Sequence, residues 1–349
     1  MTPRSSGGSP APGAPFLIRE LPGLGFVDRA GEPWKLTASN GNVVLERAPE
    51  LAEWRALVPG HPFRYWLNAR HEAFAEGSIV DDDGTVVFEL KVPQKVSGLD
   101  RVRSMSGGPK PCALLHGGQV ICFADAPTYS VQGTLNGARR SNFVTVEASG
   151  ASAVDGDGQG CWSKDGKVHC AHVDFPDHAQ AATARVETVP IEGADAFCII
   201  GTSEKGVPNG CALKGGSLAC WGPKEHLPSQ EQGTSPTVAG AVALRRPLPD
   251  KAVKAMSCEW SGVTVLTEEG ELFFGKSVHP VLERFPRFPK ATAFAALQGL
   301  LCVIDHGGAL HCCGTFAGRL NVGVGDGLDC RPARIPVSRA DHRPDGGSR

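Results

Sequence analysis

The twelve cysteines are the residues with the most chemistry to offer in this 349-residue chain. They stand at positions 112, 122, 161, 170, 198, 211, 220, 258, 302, 312, 313 and 330. Eight fall into pairs at near-constant spacing: Cys112 with Cys122, Cys161 with Cys170, Cys211 with Cys220, and Cys302 with Cys312. The segments read CALLHGGQVIC, CWSKDGKVHC, CALKGGSLAC and CVIDHGGALHC. Each has a short apolar run, a glycine-containing turn and then x-Val/Leu-x-Cys. That is the signature of a β-hairpin whose turn glycine supplies a positive φ. The paired cysteines then sit near cross-strand positions on one face, where Cβ atoms come within ~4.5–5.5 Å and a disulfide can form. Buried free thiols are the competing use, because Cys is a good small hydrophobe. Paired occurrence, and paired loss where Thr264 and Phe274 take the same slots, favours coupled partners.

Four such staples, each closing a loop of about ten residues and contributing ~2–3 kcal/mol, predict an oxidising compartment: the cell envelope or the exterior. Cys198, Cys258, Cys313 and Cys330 remain, with three connectivities open among them. A tetrathiolate zinc site would need C-x2-4-C spacing, which these four lack.

Other chemistry-bearing motifs resolve into structural roles. Gly270-Glu-Leu-Phe-Phe-Gly275-Lys276-Ser277 matches a phosphate-binding loop literally, but such a loop needs a helix after the Lys, and the following VHPVLERFPRFPK is broken by prolines. His169, Cys170, His172, Asp174, Asp177 and His178 form the densest group of metal-ligand types. His169 and Cys170 are neighbours on a strand and point to opposite faces, so the group reads as a polar blade-edge loop. Asp155-Gly-Asp157 and Asp81-Asp82-Asp83-Gly84 resemble pieces of calcium loops; the first lacks the later acidic ligands and the second lies on a turn. G-x-S-x-G is absent. No enzyme activity, cofactor or metal is expected. Arg284, Phe285, Arg287 and Phe288 combine the residue types enriched at interface hot spots and form a candidate partner patch.

The elements that must carry these residues repeat. Segments without cysteine pairs fit the hairpin frame too: TVLTEEGELFF, SIVDDDGTVVF and LTASNGNVVL. The turn glycines are Gly41, Gly84, Gly118, Gly166, Gly216, Gly270 and Gly308, separated by 43, 34, 48, 50, 54 and 38 residues. Hairpins recurring at roughly fifty residues mean a repeat architecture. Upstream of several lies a further strand rich in small residues, as in VRSMSGG, ASAVDG, AVKAMSC and ATAFAAL. A unit of three or four strands that cannot bury both faces alone stacks radially into a propeller. Residues 48–60, APELAEWRALVPG, are predicted as a helix, with Pro49 in its first turn and Pro59-Gly60 ending it.

The chain divides into a flexible Pro/Ser/Gly-rich tether over 1–15, a single propeller over 16–338 and a disordered tail over 339–349. The tether has no apolar h-region of a signal peptide as written, and no run reaches the length of a membrane span. With 35 Lys+Arg against 37 Asp+Glu the net charge is −2, which argues against nucleic acid held by bulk charge.

The segment Cys211-Ala-Leu-Lys-Gly-Gly-Ser-Leu-Ala-Cys220-Trp221-Gly222, with GRLNVGVGDGLDCRPARIPV at 318–337, resembles the regulator-of-chromosome-condensation repeat. The resemblance covers residues 100–337 well and 20–100 weakly. Trp221 alone fills the family's tryptophan slot, and Gly314 stands after Cys313 where a tryptophan is usual. The resemblance implies an all-β, seven-bladed propeller closed by pairing N- and C-terminal strands in one blade. It also implies a function: guanine-nucleotide exchange on a small GTPase with chromatin binding, or inhibition of an extracellular enzyme. The residues themselves point to a monomeric, non-enzymatic scaffold binding a protein partner through one rim. A propeller-based hydrolase is the alternative and needs carboxylates or histidines converging at a central channel.

Overall fold

The computed structural model describes residues 16–21, 25–28, 32–39, 41–58, 63–80, 86–96, 99–106, 111–123, 143–155, 160–174, 183–201, 208–223, 242–245, 248, 250–259, 262–276, 282–297, 299–316, 320–323 and 330–336. The expected tether over 1–15 and the tail over 339–349 lie outside them.

The described residues are all-β, and every strand among them pairs antiparallel with a sequence neighbour or near neighbour. Blade 1 has strands Phe16–Leu21, Gly25–Asp28, Pro33–Ser39 and Asn42–Arg47. Blade 2 has Trp54–Val58, Phe63–Asn68, Ala73–Val80 and Val86–Lys95. Blade 3 follows with Val102–Met105, Cys112–Leu115, Val120–Phe123 and Phe143–Glu147. Blade 4 is Ala151–Asp155, Gly160–Lys164, Lys167–Asp174 and Thr183–Glu192. Blade 5 comprises Ala196–Gly201, Asn209–Lys214, Ser217–Pro223 and Val242–Arg245, and blade 6 Val253–Glu259, Gly262–Thr267, Leu272–Lys276 and Glu283–Arg284. The last sheet, Ala291–Leu297, Leu300–Asp305, Leu310–Phe316 and Leu320–Val322, gains a fifth strand, Ala333–Arg334, which returns to pair with Leu310–Phe316.

These six four-stranded blades and one five-stranded sheet correct the expectation of a seven-bladed propeller closed by N- and C-terminal strand pairing. No described sheet mixes strands from the two ends. The physical reason is that residues 16–47 hold four strands of their own, so they complete a sheet without borrowing one. The C-terminal segment reaches blade 1 through the Leu45 N–H, which donates to the Pro336 carbonyl at 2.9 Å.

A second correction concerns residues 48–60. Only Pro49–Leu51 turn, as one 3-10 turn, and Trp54–Val58 is a strand. Its ring packs on Trp66 and Phe74, with centroids 5.1 and 5.2 Å away, and tertiary packing overrides the local helical pattern. No helix among the described residues is long and apolar enough to cross a membrane.

Two compact units can be separated. One comprises residues 1–52 with 286–349, and the other 53–285. In the second, each blade buries one face against the next. Tyr65, Leu67 and Ala75 of blade 2 meet Val102, Met105 and Ala113 of blade 3. Cys112, Cys122 and Val120 of blade 3 meet Ala151 and Trp162 of blade 4. Cys161 and Cys170 of blade 4 face Ile199 and Trp221 of blade 5, and Cys211 and Cys220 of blade 5 face Val263 and Phe273 of blade 6. In the first unit, Cys302 and Cys312 pack with Trp34, Leu36 and Leu45. Each hairpin disulfide is thus core material on a sheet face that would otherwise be wet, and not a surface clip.

Candidate functional site: the turns that latch blade to blade

All twelve cysteines are paired. The hairpin pairs form as their spacing suggests: Cys112–Cys122, Cys161–Cys170, Cys211–Cys220 and Cys302–Cys312, with Cα atoms 4.0, 4.0, 3.9 and 4.1 Å apart. Each pair occupies directly opposite positions in its strand register. The connectivity left open resolves to Cys198–Cys258 and Cys313–Cys330. Cys198–Cys258 joins the first strands of blades 5 and 6, and Cys313–Cys330 ties the five-stranded sheet to its C-terminal return. Blades without a hairpin disulfide fill the slot otherwise: Tyr65 opposite Ala75 in blade 2, both buried, and Thr264 opposite Phe274 in blade 6.

The turn between the second and third strands is the recurrent joint. In blades 4 and 5 it has two residues, Asp165-Gly166 and Gly215-Gly216, all with positive φ, as a type I′ turn requires. In blades 2, 3 and 6 and the five-stranded sheet it is one residue longer. Leu115 N–H donates to Gln119 and Gly118 N–H to Leu115; Thr267 with Glu271 and Gly270, and Asp305 with Ala309 and Gly308, repeat the pattern. The left-handed residue is Gly118 (φ 77°), Gly270 (79°) and Gly308 (80°).

In blade 2 the same pattern is made by Asn68 with Glu72 and His71. The left-handed residue is therefore His71, at φ 63°. Asn68 replaces what the glycine gives up: its Oδ1 accepts the N–H of Arg70 and of Glu72, each at 2.9 Å. Gly41 (φ 76°) instead turns between the third and fourth strands of blade 1. Gly84 lies outside the described residues, in the connection between the third and fourth strands of blade 2. In these two blades the expected hairpin frame is one strand out of step.

The turn reaches across to the following blade. The carbonyl of the left-handed residue accepts a backbone N–H from that blade's entry: His71 from Val102 at 2.8 Å, Gly118 from Ala151 at 3.0 Å, Gly166 from Gly193 at 2.6 Å and Gly216 from Val253 at 2.7 Å. Space is tight there. A Cβ on Gly118 would lie 2.5 Å from Gly150 N and 3.0 Å from Ala151 N. The residues facing the turns are themselves left-handed: Gly150 at 85°, Gly193 at 70°, and, opposite His71, Arg101 at 63°.

The blade 2/3 latch thus carries two charged-type side chains where the blade 3/4 latch carries two glycines, and a basic cluster forms around it. Arg55 Nη1 lies 2.8 Å from His71 Nδ1. A guanidinium only donates, so Nδ1 accepts and the neutral ring keeps its proton on Nε2. The His71 and His116 rings meet edge to face at 4.1 Å. His116 N–H donates to the Arg101 carbonyl at 3.0 Å. Loss of hydration, and then electrostatic repulsion by the neighbouring His71, Arg101, Arg55 and Arg103 against a second positive ring, hold the His116 imidazole below the usual histidine range. Arg55, Arg101, Arg103 and His116 are exposed and His71 is half-buried. Among the described residues, no carboxylate lies within ion-pair distance of these three arginines. The acids next in sequence are occupied: Lys95 reaches Glu72 at 2.7 Å and Asp100 at 3.1 Å.

The other candidates are dispersed. Arg284 and Phe285 belong to one compact unit, and Arg287 and Phe288 to the other. Arg284 pairs with Glu271 at 3.3 Å, and Phe285 is buried with its ring 6.1 Å from Phe274, so it is core and not surface. Gly270 is a hairpin turn and Leu272–Lys276 a strand, which is not the geometry of a phosphate loop. His169 stacks on Trp162 with centroids 5.8 Å apart and bonds Thr188 Oγ1 at 3.0 Å; Cys170 is oxidised. Asp177, His178, Asp157 and Asp81 to Asp83 lie outside the described residues. Asp155 accepts the Ile199 N–H at 3.0 Å and so links blades 4 and 5. No group of metal-ligating residues occurs among the described residues.

Comparison with solved structures shows the same fold elsewhere. Human WBSCR16 is 16% identical over 81% of this chain and 82% of its own, with a TM-score of 0.55. Yeast RCC1 (Prp20), solved with Kap60 bound, is 13% identical over 84% of this chain and 77% of its own, also with a TM-score of 0.55. No protein-family model matches the chain, and no curated protein matches it. The chain carries an RCC1-type β-propeller fold.

Proposed function

We propose that this protein is a non-enzymatic propeller that binds a protein partner through one rim, in an oxidising compartment of the cell envelope or exterior. The observation that carries the reading is the pairing of every cysteine into six disulfides, with the four hairpin pairs buried between neighbouring sheets. Such a set persists where thiols are not kept reduced. The fold supports the binding role. A propeller of this type, yeast RCC1, has been solved with the protein Kap60 bound to it. Short latched turns fix the rims, so that side chains on them are presented by a rigid frame.

Counting thiols by mass spectrometry on the denatured, unreduced protein tests the compartment. No alkylated cysteine is expected before reduction and twelve after it. Eight or more reactive thiols in freshly isolated protein would overturn it. Crosslinking in cells followed by envelope fractionation tests the binding role, and recovery of the chain without any crosslinked protein would count against it.

A further inference from the structure

We propose that the blade 2/3 latch is a binding site for a tetrahedral oxyanion, a sulfate or phosphate group, held by Arg55, Arg101 and Arg103 with the imidazoles of His71 and His116. The site does not depend on the protein-binding reading and stands if that reading fails.

Backbone strain provides the first observation. Left-handed conformation costs a residue with a Cβ roughly 1–2 kcal/mol. His71 and Arg101 both adopt it, on the two sides of one latch, where blades 3 and 4 meet through Gly118 and Gly150. Glycine would satisfy the backbone at either position, so the latch alone does not account for these side chains. Charge provides the second. Arg55 lies 2.8 Å from His71, the His71 and His116 rings meet at 4.1 Å, and His116 N–H bonds the Arg101 carbonyl. The guanidiniums of Arg101 and Arg103 act electrostatically on His116, and among the described residues none of the three arginines forms an ion pair with a carboxylate. The blade 3/4 latch, by contrast, is balanced by Lys164 on Glu147 at 2.9 Å. Geometry provides the third. Arg55 is already oriented by His71 Nδ1, which leaves the His71 Nε2–H and the remaining Arg55 N–H groups as donors for an anion. Arginine forks suit the paired oxygens of a tetrahedral anion.

Protonation couples to binding. His116 faces Arg55 on the first strand of blade 2, His71 on the turn, and Arg101 and Arg103 at the entry to blade 3. An anion placed among them raises its proton affinity, so binding tightens as pH falls. Glu53, two residues before Arg55 in sequence, is exposed and is the acid a ligand would have to tolerate.

Titration calorimetry of the full chain with sodium sulfate, at constant ionic strength set with chloride, tests the site. Sulfate keeps its charge across the range, so the pH effect belongs to the protein. Saturable binding is expected, tighter at pH 6 than at pH 7.5 by about threefold or more, roughly the effect of one coupled histidine. Arg55→Gln with Arg101→Gln should weaken it by about tenfold or more, while Arg185→Gln, on the outer strand of blade 4, should leave it unchanged. If the double variant does not fold, ring NMR of the unaltered protein decides instead: sulfate must raise the His116 titration midpoint. Acetate binding as well as sulfate, a response equal to that of chloride, or an unmoved His116 midpoint would overturn the proposal. Inorganic phosphate and a phosphotyrosine peptide separate the sources. A peptide at least tenfold tighter than phosphate assigns the site to a group carried on a macromolecule, and equal affinity assigns it to the free anion.

Discussion

The latches between blades 2 and 3 and between blades 3 and 4 share one hydrogen bond and differ in almost everything around it. In both, a left-handed turn residue offers its carbonyl to the entry of the next blade, Val102 or Ala151. At the second, Gly118 and Gly150 approach so closely that a Cβ would collide with backbone. At the first, His71 and Arg101 hold the same conformation with full side chains, and Asn68 caps the turn. One joint is optimised for closeness and neutral charge, the other tolerates strain and collects positive charge. Identical backbone geometry can therefore serve packing at one place and leave a chemically distinct surface at another.

The contrast can be broken experimentally. The largest effect is expected at a third joint, where blades 5 and 6 are tied covalently. Cys198→Ser with Cys258→Ser opens a loop of 60 residues and should cost about 4 kcal/mol on chain-entropy grounds, read from denaturant midpoints. A loss below ~1 kcal/mol would mean that the latch hydrogen bonds suffice without a staple. Next, Gly118→His imports the blade 2 residue into blade 3. The collision with Gly150 lies on backbone that cannot swing away, and about 3 kcal/mol should be lost; an unchanged melting temperature would show the two joints to be interchangeable. Asn68→Ala removes the acceptor for two N–H groups and should cost ~1–2 kcal/mol. In the opposite direction, His71→Gly relieves the left-handed strain and should stabilise by roughly 1 kcal/mol while weakening sulfate binding.

The smallest effect is a difference in pH window. His116 titrates lower when folded than its unfolded value near ~6.5. The folded state then binds fewer protons, so its contribution is present above that value and is lost as pH falls through the folded one. Glu147 is also lowered, first by Lys164, so its contribution is present above the ordinary glutamate value near ~4.3 and is lost only in stronger acid. The blade 2/3 joint should weaken first on mild acidification. Hydrogen exchange of Val102 and Ala151 amides between pH 7 and 5 reads both, and loss of Ala151 protection first would contradict the assignment.

The hairpin disulfides were legible because a cysteine pair and a turn glycine keep a fixed offset, and that offset is itself the strand register. Cys198–Cys258 and Cys313–Cys330 were not, since pairing between sheets or into a return strand follows no local period. The frame slipped in blades 1 and 2 because Asn40-Gly41 and Asp83-Gly84 are strong turn signals attached to the third and fourth strands, while the equivalent joint of blade 2 holds no glycine at all. Asn68, three residues before His71 as Asp305 is before Gly308, was the available clue: in each turn the side-chain oxygen accepts the N–H of the residue just past the left-handed position. The strand at Trp54–Val58 was masked by proline signals of a helix, and only its packing against Trp66 and Phe74 decides otherwise. The basic cluster had no sequence signature, because Arg55, His71, Arg101, Arg103 and His116 come from separate turns and strands.

Cys198 also bears on the order of events during synthesis. Its directly opposite neighbour in the strand register is Cys211, which in turn faces Cys220. As the chain emerges from its N-terminus, Cys211 arrives long before Cys258, so the wrong partner is available first and at close range. Oxidation that outruns blade 6 would trap a Cys198–Cys211 crosslink and strand Cys220 and Cys258 as reactive orphans. Correct maturation therefore demands that Cys211 be claimed by Cys220, nine residues on, while Cys198 waits. Oxidative folding of this chain needs either slow oxidation or a catalyst of thiol exchange, and the yield of correctly paired protein should track that catalyst more closely than it tracks folded stability.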